Sequence, residues 1–363
     1  MLPKVAIVYL SFHSEPYLDD MVAAFKKITY PKALVELVIV DNLHPTHGSS
    51  VAAIEQQVLP LSGTELPHVT LLPQDKNLGF PAGINVGIQW ALDHGFDYVY
   101  LHNNDGFVAP NFLEPLVDAM EQDKKISIAQ SLMLTYPDTK IINTSGNKYH
   151  YLGLGYSDDF NKPLNQVELP AIKKIVYASG AACLLRADLL KKYGLWDSDY
   201  FIYHEDIEYN YRLKALGYQA VMVKDSHFFH KYTFGRNPTK NYYIERNRIA
   251  FLVSFYKWRT LLLILPAYLF LELGLLALSL ASGWLPSKLK AYRYWLKASN
   301  RRQWLAKRAT IQKLRTVNDR ELLADAVGTI SDSYSFTNNP LVRYIANPLL
   351  GTYWQLVKLV LFW

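Results

Sequence analysis

Short apolar runs alternate with helically spaced stretches through the first third of the chain. The apolar runs cover residues 5–10, 34–40, 69–72 and 96–102, and the helical patterns between them cover 15–28, 48–59 and 78–94. Alternation of this kind predicts right-handed crossovers and a parallel sheet. The sequence therefore predicts an α/β fold, Rossmann-like and mostly parallel, with flanking helices and with four strands that end along one edge of the sheet.

Polar residues follow each of these strands at the point where the strand ends. They are Ser11, Asp41, Asn77 and Asp105. One polar residue at such a position is more often a turn residue or a helix cap. In an open parallel sheet, however, ligands bind beyond the carboxyl ends of the strands. Four polar strand ends in succession therefore favour a ligand site at this edge.

The fourth strand runs into Asn103, Asn104 and Asp105, and Gly106 follows. A carboxylate with amides beside it suits a hard divalent cation that shares its coordination shell with water and phosphates. The same residues are typical of a tight turn, so this stretch alone leaves both interpretations open. The chain has no G-x-G-x-x-G after the first strand and no G-x-x-x-x-G-K-[ST], which argues against a dinucleotide-binding fold and a P-loop NTPase.

Three glycines recur every four residues in the stretch after the third strand: Gly79, Gly83 and Gly87. A glycine row on one helix face is explained by close packing of the helix on the sheet. It is also explained by close approach of the backbone to a ligand, because glycine has no Cβ. The spacing does not decide between the two.

A second acidic group opens the predicted helix over residues 204–217. Glu205, Asp206 and Glu208 lie in its first turn, where the helix dipole favours acidic residues. The aromatic run 200–203 comes just before them and supplies a wall with little water. Around this segment, residues 137–172 predict an irregular insertion or hairpin, 175–178 a further strand and 187–193 a short helix.

The last third of the chain has the composition of a membrane-associating region. Residues 261–285 are apolar except for one charge, Glu272, and a transmembrane helix needs about 20 such residues. A buried core helix is the alternative, and Pro266 with Glu272 also allows a re-entrant hairpin or two interfacial helices. We therefore predict two regions, 1–255 and 256–363.

Basic and aromatic residues follow the apolar segment. Residues 286–315 contain ten Lys or Arg and no Asp or Glu, and residues 347–363 form another apolar stretch with tryptophans. Basic residues beside an apolar segment favour anionic lipid headgroups. The same composition could bind nucleic acid, but its position next to the apolar run favours the membrane surface and no nucleic acid.

Composition adds two expectations. The chain of 363 residues has a formal charge of +6 and a single cysteine, Cys183, so no intrachain disulfide can form and a reducing compartment fits best. The N-terminal residues lack the charged segment and long apolar stretch of a signal peptide and predict the first strand directly.

Five motifs in this order carry a family resemblance. They are Val-Ile-Val-Asp-Asn at 38–42, Asn-Leu-Gly-Phe-Pro-Ala-Gly-Ile-Asn-Val-Gly at 77–87, Leu-His-Asn-Asn-Asp at 101–105, Ser-Gly-Ala-Ala-Cys-Leu-Leu-Arg at 179–186, and the segment 194–206 that ends in His-Glu-Asp. Residues 4–255 resemble the family 2 inverting glycosyltransferases of the GT-A fold, in the rhamnosyltransferase-like branch.

The resemblance implies a set of site residues. Asp41 would accept a hydrogen bond from the pyrimidine N–H of a nucleotide-sugar donor. Asp105 would hold Mg²⁺ or Mn²⁺ on the diphosphate, with His227 or His230 completing the site. Asp206 would be the general base, with Glu205 beside it. The donor pocket would be lined by Tyr9, Ser11, Asp41, Asn77, Gly79, Gly83, Asn85, Asn103 and Asn104.

The chain departs from the family at Asn103, where aspartate is usual, which lowers the charge of the site by one and should weaken metal affinity. Arg246 and Arg248 could meet phosphates or lie on a helix surface. The expected reaction moves a sugar, first of all rhamnose from dTDP-rhamnose, onto a lipid-linked or cell-surface saccharide with inversion.

The expected location is the cytoplasmic face of the bacterial cell membrane, with the oligomeric state left open. The alternatives are a UDP-galactofuranose or UDP-hexose transferase of the same fold, and a non-catalytic membrane-bound protein that binds sugar nucleotides.

Overall fold

One large mixed sheet forms the centre of the protein. The computed structural model describes residues 2–231, 238–330 and 339–363. In chain order the described strands are β1 (Val5–Ser11), β2 (Val35–Asn42), β3 (His68–Gln74), β4 (Tyr98–Asn103), β5 (Gly106–Val108), β6 (Ile126–Thr135), β7 (Ile142–Thr144), β8 (Asn147–Tyr149), β9 (Gly155–Ser157), β10 (Ile172–Ile175), β11 (Ala182–Arg186) and β12 (Gln219–His230).

The strand order of the main sheet is β10-β12-β6-β11-β4-β1-β2-β3. The four predicted strands β3, β2, β1 and β4 are parallel neighbours, which confirms the α/β expectation for the first third of the chain. β11 is antiparallel to both β4 and β6, and β10 is antiparallel to β12. Along this order the sheet is thus mostly parallel with two reversed strands, and the short strands β5 and β7 pair antiparallel with β12 and β6.

The helices cover both faces of the sheet and form a separate layer at the C-terminal end. They are α1 (Leu18–Lys26), α2 (Val51–Gln57), α3 (Phe80–Asp93), α4 (Leu113–Gln122), α5 (Ala187–Tyr193), α6 (Glu205–Lys214), α7 (Pro238–Phe255), α8 (Trp258–Ala281), α9 (Leu285–Leu296), α10 (Ala298–Leu314), α11 (Asp319–Leu322) and α12 (Asn347–Val360).

Alternation along the strands separates two cores. In β1, Val5, Ile7 and Tyr9 pack into one hydrophobic core, whereas Ala6 and Val8 pack into the core on the opposite face. All of them are fully buried. Successive side chains of a strand point to opposite faces, so a strand buried on both sides reads as a continuous apolar run.

The strand predicted over residues 175–178 is displaced in the structure. β10 ends at Ile175, and the backbone of Ala178 instead bonds the Asn210 side chain, with its N–H donating to Oδ1 at 2.9 Å and its carbonyl accepting from Nδ2 at 3.1 Å. The apolar run that follows forms β11, which lies in the middle of the sheet between β4 and β6. The predicted insertion over 137–172 contains the β8–β9 hairpin.

The C-terminal helices share a hydrophobic core with the hairpin and with α6. This core contains Tyr149, Tyr211, Phe251, Leu271 and Trp354, which come from five different elements. Residues 331–338 of this region lie outside the described part of the chain. Helices α8 to α12 are therefore packed on the α/β body over a shared interior.

One helix in the described part of the chain, α8, is long and apolar enough to cross a membrane by length and composition. Its two faces differ. Residues at helical spacing, among them Ile264, Ala267, Leu271 and Leu275, are buried against the body of the protein. The opposite side is exposed, and only 22% of the most apolar stretch of the helix is buried.

Glu272, the single charge of this apolar segment, lies on the buried side of α8. It pairs with Arg248 of α7 and, at 3.0 Å, with Lys288 of α9. Glu245 of α7 accepts from the same two cations, at 3.1 Å from Arg248 and 2.6 Å from Lys288. This four-charge network ties three helices together and explains a charge that an apolar segment would otherwise exclude.

The ten basic residues of 286–315 divide into two groups. Lys288, Lys307, Arg308 and Arg315 are buried or half-buried and contact acidic side chains or backbone carbonyls of the protein. The exposed group consists of Lys290, Arg293, Lys297, Arg301, Arg302 and Lys313. Four members of the basic run therefore bond within the protein, and the other six are available for the predicted contact with anionic lipid.

Candidate active site

Asp105 and His230 meet at the carboxyl edge of the sheet. The backbone of β5 pairs with β12, so His230 comes opposite Gly106. The Nε2 atom of His230 lies 3.1 Å from Oδ1 of Asp105, and the Nδ2 of Asn103 donates to the same oxygen at 2.5 Å. Burial works to raise the pKa of Asp105, but the hydrogen bond and electrostatic interaction with His230, a backbone hydrogen bond and the hydrogen bond from Asn103 together outweigh it, so the pKa lies below its usual value.

The structure separates the two candidate histidines. His227 and His230 are three residues apart on β12, so their side chains point to opposite faces of the strand. The ring of His230 faces Asp105, with the Asn143 side chain 3.1 Å from its Nδ1, whereas the ring of His227 lies near Phe229. Strand alternation therefore places His230, and not His227, beside Asp105.

The metal-ligating side chains at this edge fit a divalent cation that takes most of its ligands from the bound substrate and from water. Within residues 2–231, 238–330 and 339–363, no three His, Cys, Asp or Glu side chains come together as a metal cluster. Asp105 supplies a carboxylate and His230 an imidazole nitrogen. Mg²⁺ is usually bound by one or two carboxylates together with water and substrate phosphates, so a sparse protein shell is compatible with such an ion.

Asp41 and Ser11 lie at the ends of neighbouring strands and bond each other. The Ser11 hydroxyl donates to Asp41 Oδ1 at 2.9 Å, and the Ser49 hydroxyl donates to Oδ2 at 2.6 Å. The backbone N–H of Ser50 lies 3.2 Å from Oδ2. Asp41 is 1% exposed. The carboxylate thus fixes the loop before α2 as well as ending β2.

Asn42 organises the loop that follows β3, although sequence reasoning did not single it out. Its Oδ1 accepts from the backbone N–H of Leu78 at 2.8 Å, and its Nδ2 lies 3.3 Å from Oδ1 of Asn77. The same Asn77 oxygen accepts from the N–H of Gly79 at 2.8 Å. The available signal was its place directly after Asp41, at the end of a buried strand.

Position 79 requires a glycine because the backbone of Phe201 lies close to it across the site. Its φ is +79°, and a Cβ at this position would come 2.5 Å from the carbonyl oxygen of Phe201. That oxygen accepts a hydrogen bond from the N–H of Phe80 at 2.7 Å. The loop after β3 is therefore in direct contact with the segment that leads to Glu205 and Asp206.

Four other predicted pocket residues have structural roles. A Cβ on Gly83 would come 2.7 Å from Leu10, so this glycine serves the packing of α3 on the sheet. Asn85 exchanges two hydrogen bonds with the backbone of Trp196, at 2.8 and 3.1 Å. Tyr9 is fully buried, and its hydroxyl donates to the carbonyl of Asn104 at 3.3 Å. The Asn104 side chain donates to the carbonyl of Phe12 at 3.0 Å.

These corrections have one cause. A motif marks a segment, but within the segment the packing direction decides which residues face the ligand edge and which face the core. Gly83, Asn85 and Tyr9 face the core or a neighbouring loop.

Glu205 and Asp206 begin α6 in different environments. Glu205 is 6% exposed and its Oε2 has no hydrogen-bond partner, so burial and the nearby Asp206 raise its pKa well above the usual value. Asp206 keeps part of its surface accessible, and its Oδ1 accepts from the N–H of Ile207 at 2.8 Å. Burial raises the pKa of Asp206 to about 6. The two neighbouring carboxyls therefore differ in burial, in hydrogen bonding and in how strongly their surroundings favour the protonated form.

The third acidic residue of this turn has a structural partner. Glu208 binds Arg212 through two hydrogen bonds of 2.9 and 2.7 Å, and Arg212 also donates to carbonyls of the preceding loop. Both carboxylate oxygens of Glu208 are thereby bonded by Arg212. Arg246 and Arg248 are also buried and bonded within the protein, so neither is an exposed phosphate ligand.

The segment before the acidic pair has an unusual backbone. Phe201, Tyr203 and His204 have φ values of +63°, +65° and +71°. A residue other than glycine in this left-handed region costs about 1–3 kcal/mol, and such positions persist only where the surroundings impose them. They concentrate at functional sites. The backbone strain therefore supports the acidic pair as a functional centre.

The loop at 178–181 connects the metal edge with the acidic pair. The N–H of Asn103 donates to the carbonyl of Ala181 at 2.8 Å. At the other end of the loop, Asn210 of α6 bonds Ala178 and also donates to the carbonyl of Asp206 at 2.8 Å. Asp105 and Asp206 thus lie on segments joined by one short loop, and the Gly79 loop contacts the second of them.

Comparisons with known proteins agree with this arrangement. A model of the family described as "Glycosyltransferase like family 2" matches residues 3–250. An N-acetylglucosaminyl-diphospho-decaprenol L-rhamnosyltransferase from two strains of Mycobacterium tuberculosis is 25% identical over 261 residues, which is 66% of this chain and 80% of that protein.

Two solved structures share the fold. The crystal structure of GalNAc-T7 with UDP, GalNAc and Mn²⁺ has a TM-score of 0.54 at 14% identity, covering 71% of this chain and 49% of the other, so the chain spans about half of its length. The mannosyltransferase PcManGT from Pyrobaculum calidifontis, in complex with GDP-Man and Mn²⁺, has a TM-score of 0.50 at 14% identity, covering 86% of each chain.

The family match extends over more than half of the chain and includes both acidic centres. The mostly parallel sheet with its flanking helices agrees with the fold of the solved neighbours. The chain therefore belongs to the glycosyltransferase-like family 2 and is a glycosyltransferase of the GT-A fold.

Proposed function

We propose that this glycosyltransferase moves a sugar from a pyrimidine nucleotide donor to a hydroxyl of a lipid-linked saccharide, with inversion at the anomeric carbon. The observation that carries the proposal is the pair of unlike carboxyls at the start of α6: Glu205 is buried with an unpartnered Oε2 and a pKa raised well above its usual value, whereas Asp206 is partly accessible with a pKa of about 6. A general base needs a pKa near the working pH, and Asp206 has one.

The donor nucleotide would lie over the ends of β1, β2 and β3. Asp41 and Ser11 stand at these ends, and Asn42 and Asn77 hold the adjoining loop. The Asp41 carboxylate already accepts hydrogen bonds from Ser11 and Ser49, which fixes its orientation toward a further donor such as a pyrimidine N–H. A preorganised acceptor of this kind gives specificity for the base at little cost in ordering.

Asp105 and His230 would hold the divalent ion, Mg²⁺ or Mn²⁺, with Asn103 orienting Asp105. When bound, the ion would neutralise charge on the departing diphosphate as a Lewis acid. Both solved neighbours were crystallised with Mn²⁺, which supports this assignment. Asn103 orients the carboxylate through its amide but adds no charge of its own.

Asp206 would remove the proton of the acceptor hydroxyl as that oxygen bonds the anomeric carbon. The bond between the anomeric carbon and the phosphate oxygen breaks on the opposite side, and the nucleoside diphosphate leaves with the electron pair. Displacement by one nucleophile from the opposite face inverts the centre. Glu205, kept neutral by burial, adds no second negative charge beside the base and can donate its proton in a hydrogen bond.

Rhamnose from dTDP-rhamnose is the first candidate for the transferred sugar. The 25% identical relative carries the name of a rhamnosyltransferase that acts on N-acetylglucosaminyl-diphospho-decaprenol. A lipid-linked acceptor would require the active site to work near a membrane, and the exposed apolar side of α8 supports this. Leu262 and Leu273 on that side are 70% and 69% exposed.

We further propose that α8 lies along the cytoplasmic leaflet rather than across the bilayer. Its buried side carries Glu272 in ion pairs with α7 and α9, which a helix surrounded by lipid could not keep. On α9, Leu289, Lys290, Arg293, Leu296 and Lys297 share one exposed face. Leucines with basic residues on one face are typical of an interfacial helix on anionic lipid.

The substrate proposal is tested with purified enzyme, Mn²⁺ and a panel of dTDP-rhamnose, UDP-galactofuranose and UDP-glucose. We expect dTDP-rhamnose to raise the melting temperature in a manner that requires Mn²⁺. We also expect rhamnosyl transfer to N-acetylglucosaminyl-diphospho-decaprenol, with the inverted anomer seen by NMR. Transfer only from a UDP-sugar would show that the donor is not dTDP-rhamnose. A product with the anomeric configuration of the donor would reject the inverting mechanism.

The membrane proposal is tested by co-sedimentation with vesicles that contain anionic phospholipid. Replacing Lys290, Arg293 and Lys297 with alanine should weaken binding, by about 1 kcal/mol for each residue near the surface. Replacing the exposed Lys124, Lys125 and Lys191 of the α/β body is the matched control and should change binding little. Equal loss in both triple variants would indicate attraction by net charge rather than a defined lipid face.

A further inference from the structure

The turn that presents Asp206 is held by α7, a helix outside the sheet. The Nδ2 atom of Asn247 lies 2.9 Å from the carbonyl oxygen of Tyr200, 2.9 Å from that of Ile202 and 2.6 Å from that of Tyr203. Asn247 is fully buried. One side-chain amide thus contacts three carbonyls within the segment that contains the left-handed residues.

Arg246 fixes the orientation of this amide. Its Nε donates to Oδ1 of Asn247 at 2.7 Å, which turns the Asn247 NH₂ group toward the loop. Its Nη2 donates to the carbonyls of Asp199 at 2.8 Å and Tyr200 at 2.7 Å. Arg246 and Asn247 together bond the carbonyl groups of four loop residues, so we name this pair the α7 clasp.

The turn is also held at its other side. The ring of His204 lies with Nε2 2.9 Å from the carbonyl of Gly153, in the loop between β8 and β9. The carbonyl of Phe201 accepts a hydrogen bond from the N–H of Phe80, the first residue of α3. Asp206 comes two residues after His204, so the clasp and these two flanking bonds together set the point at which α6 begins.

Aromatic side chains of α7 and α9 keep the clasp in place. The guanidinium of Arg246 lies 4.8 Å from the ring centre of Tyr243 and 5.3 Å from that of Tyr294. The indole N–H of Trp295 donates to the carbonyl of Arg246 at 3.2 Å. The next residue of α7, Arg248, belongs to the four-charge network with Glu272. The clasp is therefore continuous with the helical layer.

We propose that Asn247, oriented by Arg246, is a positioning residue for the reaction, because it fixes the strained turn from which Asp206 reaches the acceptor hydroxyl. The inference rests on the proposed role of Asp206 as base. It adds that the helical layer contributes directly to the active-site geometry.

A double-mutant cycle tests the inference with dTDP-rhamnose and N-acetylglucosaminyl-diphospho-decaprenol, or the donor identified by the panel above. Asn247→Ala should lower kcat by roughly ten- to a hundredfold, as expected for a misplaced catalytic group, with the donor KM within about twofold. On the Asp206→Asn background the same substitution should cost less than about threefold, because a group acting through Asp206 has nothing left to position.

Asn347→Ala is the matched control. Asn347 also bonds a loop backbone, accepting from the N–H of Ile330 at 2.7 Å and donating to its carbonyl at 3.0 Å, but it lies in the last helix. Its loss should leave kcat unchanged. Amide hydrogen exchange of residues 199–206 should rise in Asn247→Ala and stay at the wild-type level in Asn347→Ala.

If Asn247→Ala does not fold, Arg246→Lys provides the second variant, since lysine cannot keep both the Nε bond to the amide and the Nη2 bonds to the loop. It should lower kcat in the same direction by a smaller factor. An Asn247→Ala enzyme with wild-type kcat, or with a full additional loss on the Asp206→Asn background, would overturn the inference while leaving the base assignment intact. Wild-type rates in Asp206→Asn would instead overturn the base assignment, and the inference with it.

Discussion

The two acidic centres of the site are built in different ways. Asp105 stands at the end of a sheet strand, and its partner His230 is the last residue of another strand, so backbone pairing brings them together. Asp206 stands in the first turn of α6, directly after a strained turn that no strand determines, and helix α7 holds that turn through side-chain bonds. The proposed metal side is a product of topology, whereas the proposed base side is a product of long-range side-chain packing.

Because of this difference, the two centres should respond differently to substitutions. A sheet edge tolerates substitutions nearby, because many backbone hydrogen bonds define it. A turn with three left-handed residues depends on a few bonds from outside, so the loss of one contact changes its geometry. Substitutions in the C-terminal helices should therefore affect the base side and leave the metal side nearly unchanged.

The largest expected effect is on the base itself. Asp206→Asn keeps the shape of the side chain and removes the proton acceptor, so kcat should fall on the order of 10²–10⁴-fold. Donor and metal binding should change little, since other residues are assigned to them. Steady-state rates at saturating donor, with calorimetry of donor binding, check both statements. A rate within about tenfold of wild type would leave Glu205 as the better candidate.

The next effect tests whether the helical layer supports the fold. Glu272→Ala leaves Arg248 and Lys288 sharing one carboxylate in a buried site, and removing one partner of a buried ion pair typically costs about 3–5 kcal/mol. The free energy of unfolding, measured with denaturant in detergent, should fall by an amount near this range. Glu65→Ala is the control, because Glu65 pairs with Lys26 at an exposed position and should cost less than about 1 kcal/mol.

The metal side gives a smaller and more selective effect. Asp105→Ala and His230→Ala should each weaken Mn²⁺-dependent donor binding, by roughly ten- to a hundredfold. His227→Ala is the matched control on the same strand, since its ring faces away from Asp105, and it should bind donor as the wild type does. Calorimetry with and without Mn²⁺ makes the measurement. Equal losses in both histidine variants would reject the assignment of His230.

The smallest effect is the pH dependence. Asp206 acts only when it has lost its proton, so with a pKa of about 6 the rate should fall about tenfold for each pH unit below 6 and level off above it. Glu205→Gln should keep this acid limb, because the limb is assigned to Asp206 and burial raises the pKa of Glu205 well above its usual value. Rate profiles from pH 4.5 to 8 compare the two enzymes. The absence of the limb in Glu205→Gln would assign it to Glu205.

The sheet and the metal edge follow from the sequence to a large extent. The four apolar runs correspond to β1 to β4, and the polar residues after them do lie at strand ends. This works because strand alternation and parallel pairing are local or topological properties. The exact position of β10 does not follow from the sequence, since the backbone of Ala178 bonds the Asn210 side chain instead of a neighbouring strand.

The clasp could not be predicted in the same way. Asn247 and Tyr203 are 44 residues apart in the chain, and nothing in the local pattern of either segment specifies the contact. A weak signal was present, because the Arg-Asn-Arg triplet at 246–248 directly precedes the apolar run at 249–253 in the same helix. That signal indicates that these polar side chains form buried hydrogen bonds, but it does not identify the residues that they bond.

The ion pairs of Glu272 have a consequence for the geometry of the reaction. They attach α8 rigidly to the catalytic body, so a leaflet seated on the outer side of this helix would lie at one set distance from Asp206. The enzyme would then work at a fixed height above the membrane. An acceptor whose reactive hydroxyl lies at a different distance from the lipid would be excluded by its length alone. This selection would not depend on contacts with the acceptor's sugars.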